Sequence, residues 1–348
     1  MDHDPVTVSP FELDIAAQPD ALREFAQASP AAELAAIARG DYDRIILTGM
    51  GSSHFAALPS WRRLIADGRS AWWVDTGQLL DSPRLITERT LLVITSQSGA
   101  SGEIAALLGS AERRELSRPG ALVGITNEPA SPLGLASDAV IRLRSGTEAT
   151  VSTKSYLNSL AAHQQLLGAL AGPATAPGSP ADTAGLISDL SPVPAATELA
   201  RVVTSASHPR VAFIGTRDEG ATALYAGLIT KEAAKIAAEG FIGGQFRHGP
   251  LELAGPGLAA VLFGARADDA SSPITGLAAD LSATGADVTL VGDLTMAGTR
   301  TIAIPRGTTL TELAAGAVVA QHIAVRIARA RGLEPGAFAY GQKVTTTL

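Results

Sequence analysis

The segment Thr95-Ser96-Gln97-Ser98-Gly99-Ala100-Ser101-Gly102 gathers hydroxyl side chains where the apolar run Leu91-Leu92-Val93-Ile94 gives way to the helix-like stretch 103–108. A buried strand that opens into a helix through small hydroxyl residues sets backbone N–H groups and Oγ donors at a positive helix end. Such a cradle suits a phosphate or an oxyanion without any lysine. The plainer reading is a serine-rich loop capping the next helix, and the two readings share one geometry. Far downstream, Lys231-Glu232 precede Phe246-Arg247-His248-Gly249-Pro250-Leu251. A carboxylate and an imidazole are what proton abstraction beside a carbonyl requires, with the second group opening a sugar ring. Taken alone, Glu232 reads as surface charge on an amphipathic helix over 229–239. The glycine-flanked loop holding His248 can bring that imidazole back to the helix it has just left. Together the segments point to a phosphorylated small molecule handled by acid–base chemistry.

Two further turns could donate to a ligand. Gly49-Met50-Gly51-Ser52-Ser53 lies where a first strand enters a helix, although glycine-rich turns are common there. It lacks the third glycine of a dinucleotide fingerprint, and Asp75 follows the second strand only loosely, so nicotinamide binding is not expected. In Glu148-Ala149-Thr150-Val151-Ser152-Thr153-Lys154-Ser155 the hydroxyls can cap a helix or reach ligand hydroxyls equally well. His3 falls in the N-terminal tail, and His163 and His322 fall within helical stretches, where a histidine is most often part of the packing.

The elements that must position these residues form an α/β pattern. Strands are expected at 44–48, 71–74, 91–94, 121–125 and 139–143, then at 210–214, 258–263, 287–291 and 301–304, with helical stretches between most of them. That alternation indicates doubly wound parallel sheets. Ile45–Ser53 and Val211–Gly220 repeat one pattern, an apolar run and a glycine-containing turn before a helix, which suggests two copies of one subdomain. The expected organisation is a lead-in and helix over 1–39, a first subdomain over 40–171, and a linker and helix over 172–199. A second subdomain over 200–331 and a tail over 332–348 follow. The linker is signalled by Ala171–Pro180, with three prolines and two glycines.

At 348 residues the chain has length for two domains, and 46% hydrophobic residues with 4% aromatics imply cores of Ala, Leu, Val and Ile on close-packed helices. A formal charge of −7 argues against a general nucleic-acid binder. An anionic ligand must therefore be held by local dipoles and a few side chains. The absence of cysteine excludes a disulfide framework, a cysteine–metal site and a cysteine nucleophile, and it fits a cytoplasmic location. The acidic N-terminus lacks signal-peptide character, and no membrane span is expected.

The motifs, in order, resemble those of the sugar isomerase (SIS) domain family. That family includes the isomerase half of glucosamine-6-phosphate synthases, stand-alone amino-sugar-phosphate deaminases and isomerases, and fructosamine-6-phosphate deglycases. The resemblance covers about residues 40–348. It rests on Gly51-Ser52-Ser53, Ser96-Gln97-Ser98-Gly99, Ser152-Thr153-Lys154, Lys231-Glu232 with Arg247-His248-Gly249-Pro250, and Lys343. It implies two SIS subdomains in tandem. Ser96, Gln97, Ser98 and Ser101 would hold the sugar phosphate, and Ser53, Thr150 and Ser152 would line the sugar. Glu232 would move a proton between C1 and C2, and His248, supplied by a neighbouring subunit, would open the ring. Lys343 would form a Schiff base with a ketose carbonyl. No metal or organic cofactor is implied, and a homodimer or larger oligomer with a shared active site is.

Two departures bear on activity. The synthases carry an amidotransferase domain with an N-terminal cysteine, and this sequence holds no cysteine, so built-in glutamine-derived ammonia is not expected. Ile229 stands where they have a lysine one turn before the glutamate, and Lys231 lies on another helix face; Ala100 replaces an acidic residue in the phosphate loop. The expected activity is isomerisation or deamination of a hexose or amino-hexose 6-phosphate. The alternatives are fructosamine-6-phosphate deglycation and a non-catalytic sugar-phosphate sensor.

Overall fold

The computed structural model describes residues 7–112, 117–171, 178–190, 192–269 and 272–346. Among these residues ten strands form two five-stranded parallel sheets. The first holds β1 (Arg44–Gly49), β2 (Ala71–Trp73), β3 (Thr90–Thr95), β4 (Ala121–Thr126) and β5 (Ala139–Arg142), in the order β2-β1-β3-β4-β5. The second holds β6 (Arg210–Gly215), β7 (Ala238–Ile242), β8 (Leu258–Ala265), β9 (Asp287–Gly292) and β10 (Arg300–Ile302), in the order β10-β9-β8-β6-β7. Read from the other edge, the second order repeats the first. In each sheet the strand order reverses between the first and third strands, where open α/β sheets receive ligands.

The apolar runs become strands because β3 and β4 are buried at every position, with helices covering both faces. The largest core cluster joins the two subdomains. It takes Leu47 and Val93 from the first sheet, Phe213 and Val261 from the second, and Ala315, Val319 and Ile323 from the helix Thr309–Ala330. That helix is long and apolar enough to cross a membrane, yet 83% of an 18-residue apolar stretch of it is buried inside the protein. It packs on helix Glu219–Ala234, and small residues allow the approach: a Cβ on Gly316 would lie 2.9 Å from the Thr222 methyl.

Several elements differ from expectation. The N-terminal region forms three helices, Pro10–Ala16, Gln18–Ala26 and Ala32–Ala38, rather than a lead-in and one helix. The first begins with a capping box in which the Ser9 side chain accepts from Glu12 N–H and the Glu12 carboxylate accepts from Ser9 N–H. Residues 172–177, most of the expected linker, lie outside the described residues. Helices Pro180–Ser188 and Val193–Ser205 follow them.

The helix expected over 229–239 stops at Ala234. Lys235 turns left-handed at φ 52°, and the missed strand β7 pairs with β6 from Ala238 onward. Tertiary packing overrides the helical tendency of this alanine-rich stretch. Gly240 lies so close to the preceding helix that a Cβ there would sit 2.3 Å from the Ala223 carbonyl.

Candidate functional site

A cavity of about 280 Å³ opens at the carboxyl ends of β1 and β3. At its floor, β1 ends in Gly49, where a Cβ would lie 2.7 Å from the Thr95 carbonyl, and Gly51 (φ +52°) turns the chain into a short helix bearing Ser52 and Ser53. Beyond β3, the Ser96 hydroxyl accepts from Gly99 N–H at 3.1 Å and that of Ser98 accepts from Ala100 N–H at 3.3 Å. The carbonyl of Gln97 accepts from Asn127 N–H and from the Thr126 hydroxyl, which pins the loop to the end of β4. Helix Gly102–Glu112 then starts beside the cavity, and the positive end of a helix favours an anion there. The Ser101 and Thr150 hydroxyls are buried in the cavity wall and have no hydrogen-bond partner among the described residues.

The second wall comes from the other subdomain and the tail. Glu232, half-buried on helix Glu219–Ala234, faces the cavity beside Leu228. Burial pushes its carboxyl above the usual value, against the opposing pull of Lys343, Lys235 and Lys231. Phe338, Gln342, Lys343, Val344 and Thr345 close the remaining side, and Gly102 N–H donates to the Thr345 carbonyl at 3.0 Å. The tail is thus tied across the start of the helix that follows the hydroxyl loop. Lys343 Nζ lies 2.8 Å from Glu148 Oε2.

Of the residues picked from sequence, Ser53, Ser96, Gln97, Ser98, Ser101, Thr150, Ser152, Glu232 and Lys343 all line this one cavity. His248 does not. It is exposed at the end of the 3-10 turn Gly243–Arg247, and the expectation that its loop folds back on the Glu232 helix fails within one chain. The intervening strand β7 is the reason. Glu232 sits near the end of a helix running from the carboxyl to the amino end of the second sheet, and β7 then carries the chain back before His248 is reached. A five-residue strand separates the two ends by roughly 16 Å.

Glu148 is the site residue that sequence reasoning passed over, although an acidic residue just before a helix start was a visible signal. His54 lies outside the cavity lining. Its ring stacks on Trp73 at 4.2 Å, and burial lowers its pKa to about 4 despite Asp75. His163 is buried with Nε2 3.0 Å from the Thr95 hydroxyl, and burial lowers it to about 3. Among the described residues no group of three or more His, Asp or Glu side chains is arranged to hold a metal ion.

The SIS domain model matches residues 41–169. Among curated relatives, glutamine–fructose-6-phosphate aminotransferase (isomerizing) of Symbiobacterium thermophilum is 32% identical over 205 residues, covering 56% of this chain and 32% of the relative. The Aeropyrum pernix enzyme of the same name is 29% identical over 315 residues, 84% of this chain and 49% of the relative. The chain therefore spans about a third to a half of the length of these relatives.

Two solved structures share the fold. The C-terminal domain of glucosamine-fructose-6-phosphate aminotransferase from Francisella tularensis superposes with a TM-score of 0.79 at 18% identity, covering 95% of this chain and 98% of that one. Glucosamine-6-phosphate deaminase from Thermotoga maritima superposes with a TM-score of 0.71 at 20% identity, covering 97% and 99%. The family match thus places an SIS domain over residues 41–169, the sequence relationship extends beyond it, and the second sheet repeats the topology of the first.

Proposed function

We propose that the cavity binds a hexose or amino-hexose 6-phosphate and that Glu232 moves a proton between its C1 and C2. The observation that carries this reading is the convergence, in one cavity, of the hydroxyl loop Ser96–Ser101, the carboxyl of Glu232 and the amine of Lys343. The phosphate is placed on the loop, where Oγ donors and a helix N-terminus meet. Burial raises the affinity of Glu232 for a proton, which suits a group that takes one from carbon and returns it to the neighbouring carbon. With a ketose, Lys343 can supply the amine that adds to the carbonyl and releases water, giving an imine.

For an amino sugar, the same proton shift followed by hydrolysis releases ammonia and a ketose phosphate. Ile229 is buried in the core, so that turn of the helix offers no cation to the site, and Lys343 is left as the cavity's basic side chain among its described lining residues. Ring opening is assigned to His248 of a second copy, which makes the working enzyme an oligomer with composite sites.

The deciding experiment measures ammonia and ketose phosphate together from glucosamine 6-phosphate and galactosamine 6-phosphate, with Glu232→Gln as the blank. Ammonia from the wild type alone supports deamination and identifies the epimer. Ketose phosphate without ammonia, from plain hexose 6-phosphates, supports isomerisation, and turnover of fructosamine 6-phosphates alone supports deglycation. Binding of all of these with turnover of none overturns the catalytic reading in favour of a sensor.

A further inference from the structure

Glu148 is a carboxylate with a side-chain exposure of 0%, and five donors converge on it. Its Oε1 accepts from Thr153 N–H at 2.8 Å, the Thr153 hydroxyl at 3.0 Å and Ser155 N–H at 2.8 Å. Its Oε2 accepts from the Ser155 hydroxyl at 2.6 Å and from Lys343 Nζ at 2.8 Å. The first four donors belong to the start of helix Lys154–Ala171, directly after the cavity-lining residues Thr150 and Ser152. The fifth lies 195 residues away, in a tail without helix or strand.

A helix start needs no buried glutamate, because a serine or aspartate at the cap satisfies the same amides. Burying a carboxylate is costly unless it is paired, so a glutamate reaching past the cap to a lysine does something the cap alone does not require. The remaining polar ties of the tail are few. Gly102 N–H to the Thr345 carbonyl anchors its end, and Gly336 N–H to the Ala233 carbonyl at 3.4 Å anchors its start. Between them, Lys343 is held by Glu148.

We propose that Glu148 is a positioning residue that docks the C-terminal tail over the cavity by holding Lys343 Nζ, which lines the cavity together with Thr150 and Ser152. The lysine is thereby placed inside the cavity and kept from the solvent that a free tail would reach. The catalytic consequence rests on the function proposed above; the docking itself does not.

The test uses the full chain with Glu148→Gln, Lys343→Met and the double variant. Glutamine keeps the shape and can still accept from Thr153 and Ser155, but it brings no charge to Lys343. Exchange of the two amides that tie the tail, Gly102 N–H on the Thr345 carbonyl and Gly336 N–H on the Ala233 carbonyl, should speed up roughly tenfold without ligand in either single variant and no further in the double. Exchange over 96–101 should stay within about twofold, which separates tail release from general loosening. Where the wild type turns over a sugar phosphate, Glu148→Gln should lower kcat with KM nearly unchanged, since the phosphate loop is intact.

Tail exchange at the wild-type rate in Glu148→Gln, or effects that add in the double variant, would overturn the proposal. Should Glu148→Gln fail to fold, Lys343→Met carries the test, because it leaves every bond to the helix start in place; an unchanged tail there is equally fatal. A wild type inactive on all sugar phosphates, with the tail still released by the variants, defeats the proposed activity and leaves the docking standing.

Discussion

Tyr225 donates its hydroxyl proton to the main-chain carbonyl of Ser152 at 2.6 Å, joining a helix of the second subdomain to a wall of the cavity formed by the first. The same hydroxyl accepts from Gln321 Nε2 at 2.9 Å, and Gln321 exchanges hydrogen bonds with Gln18. The Tyr225 ring stacks on Tyr156 at 3.8 Å. Glu232 lies seven residues further along the Tyr225 helix, two turns on and so on the same face. The spacing between Ser152 and Glu232 is therefore set by a buried contact between subdomains.

Replacing Tyr225 by Phe keeps the stack, strands the Ser152 carbonyl and takes one of two hydrogen bonds from the Gln321 amide nitrogen. The expected cost is about 1–3 kcal/mol of stability, because buried partners lose their hydrogen bond. Thermal unfolding should show the loss, and KM for a bound sugar phosphate should rise as Ser152 drifts. An unchanged melting temperature would mean the two subdomains are held without this contact.

Glu232→Gln removes the proposed proton acceptor at nearly constant shape. Turnover should fall by roughly 10²–10⁴-fold, the usual worth of a positioned acid–base group. Calorimetric binding of the sugar phosphate should persist within a few-fold. Loss of binding instead would assign Glu232 to holding the ligand or the fold.

The pH dependence has a definite sign. A base works only when ionised, and burial holds the Glu232 carboxyl above its ordinary 4.5. The acid limb of kcat/KM should accordingly lie above that value, with activity lost as pH falls through it. Lys343 opposes the shift more than Lys235 or Lys231 does, so Lys343→Met should move the limb, or the Glu232 carboxylate resonance in an NMR titration, to still higher pH.

Gly99 occupies φ +63° in the hydroxyl loop Ser96–Ser101, and a Cβ there would lie 2.0 Å from Ser131 Oγ and 2.7 Å from Ser131 Cβ. Gly99→Ala must therefore shift the loop as well as strain the backbone. Gly146, also at φ +63° but with nothing within 4 Å, isolates the backbone component. Gly146→Ala should cost about 1–2 kcal/mol. Gly99→Ala should cost more in denaturant unfolding and should also abolish sugar-phosphate binding.

Stability should fall in mild acid because of His163. Its folded pKa of about 3 lies below the ordinary 6.5, so the unfolded chain binds the extra proton between those values. Stability is then full above pH 6.5 and declines below it, at a slope of about 1.4 kcal/mol per pH unit from this residue. Urea unfolding at pH 7, 6 and 5 should show His163→Gln with a shallower decline than the wild type; parallel curves would contradict a buried neutral imidazole.

Short-range pattern carried much of the architecture. Leu91–Ile94 and Ala121–Ile125 are apolar without interruption because strands covered on both faces have no polar side, and the pattern stays legible whatever packs on it. The hydroxyl loop was legible for a similar reason, since strand, turn and helix start are contiguous in the chain. The capping box at Ser9–Glu12 was equally readable and was passed over, along with the helix it starts.

The sequence by itself determined the parallel α/β class, the repetition of one subdomain, and the residue types from which a phosphate cradle and an acid–base pair can be made. Only the tertiary structure decided where helix Glu219–Ala234 ends, because the close approach of Gly240 to Ala223 lies beyond any local window. It also decided that His248 lies away from Glu232 within one chain, since the intervening strand returns to the opposite end of the sheet. The pairing of Glu148 with Lys343 was decided there too: a contact across 195 residues leaves no periodic trace, and only the closing of the tail over the cavity brings the two charges together.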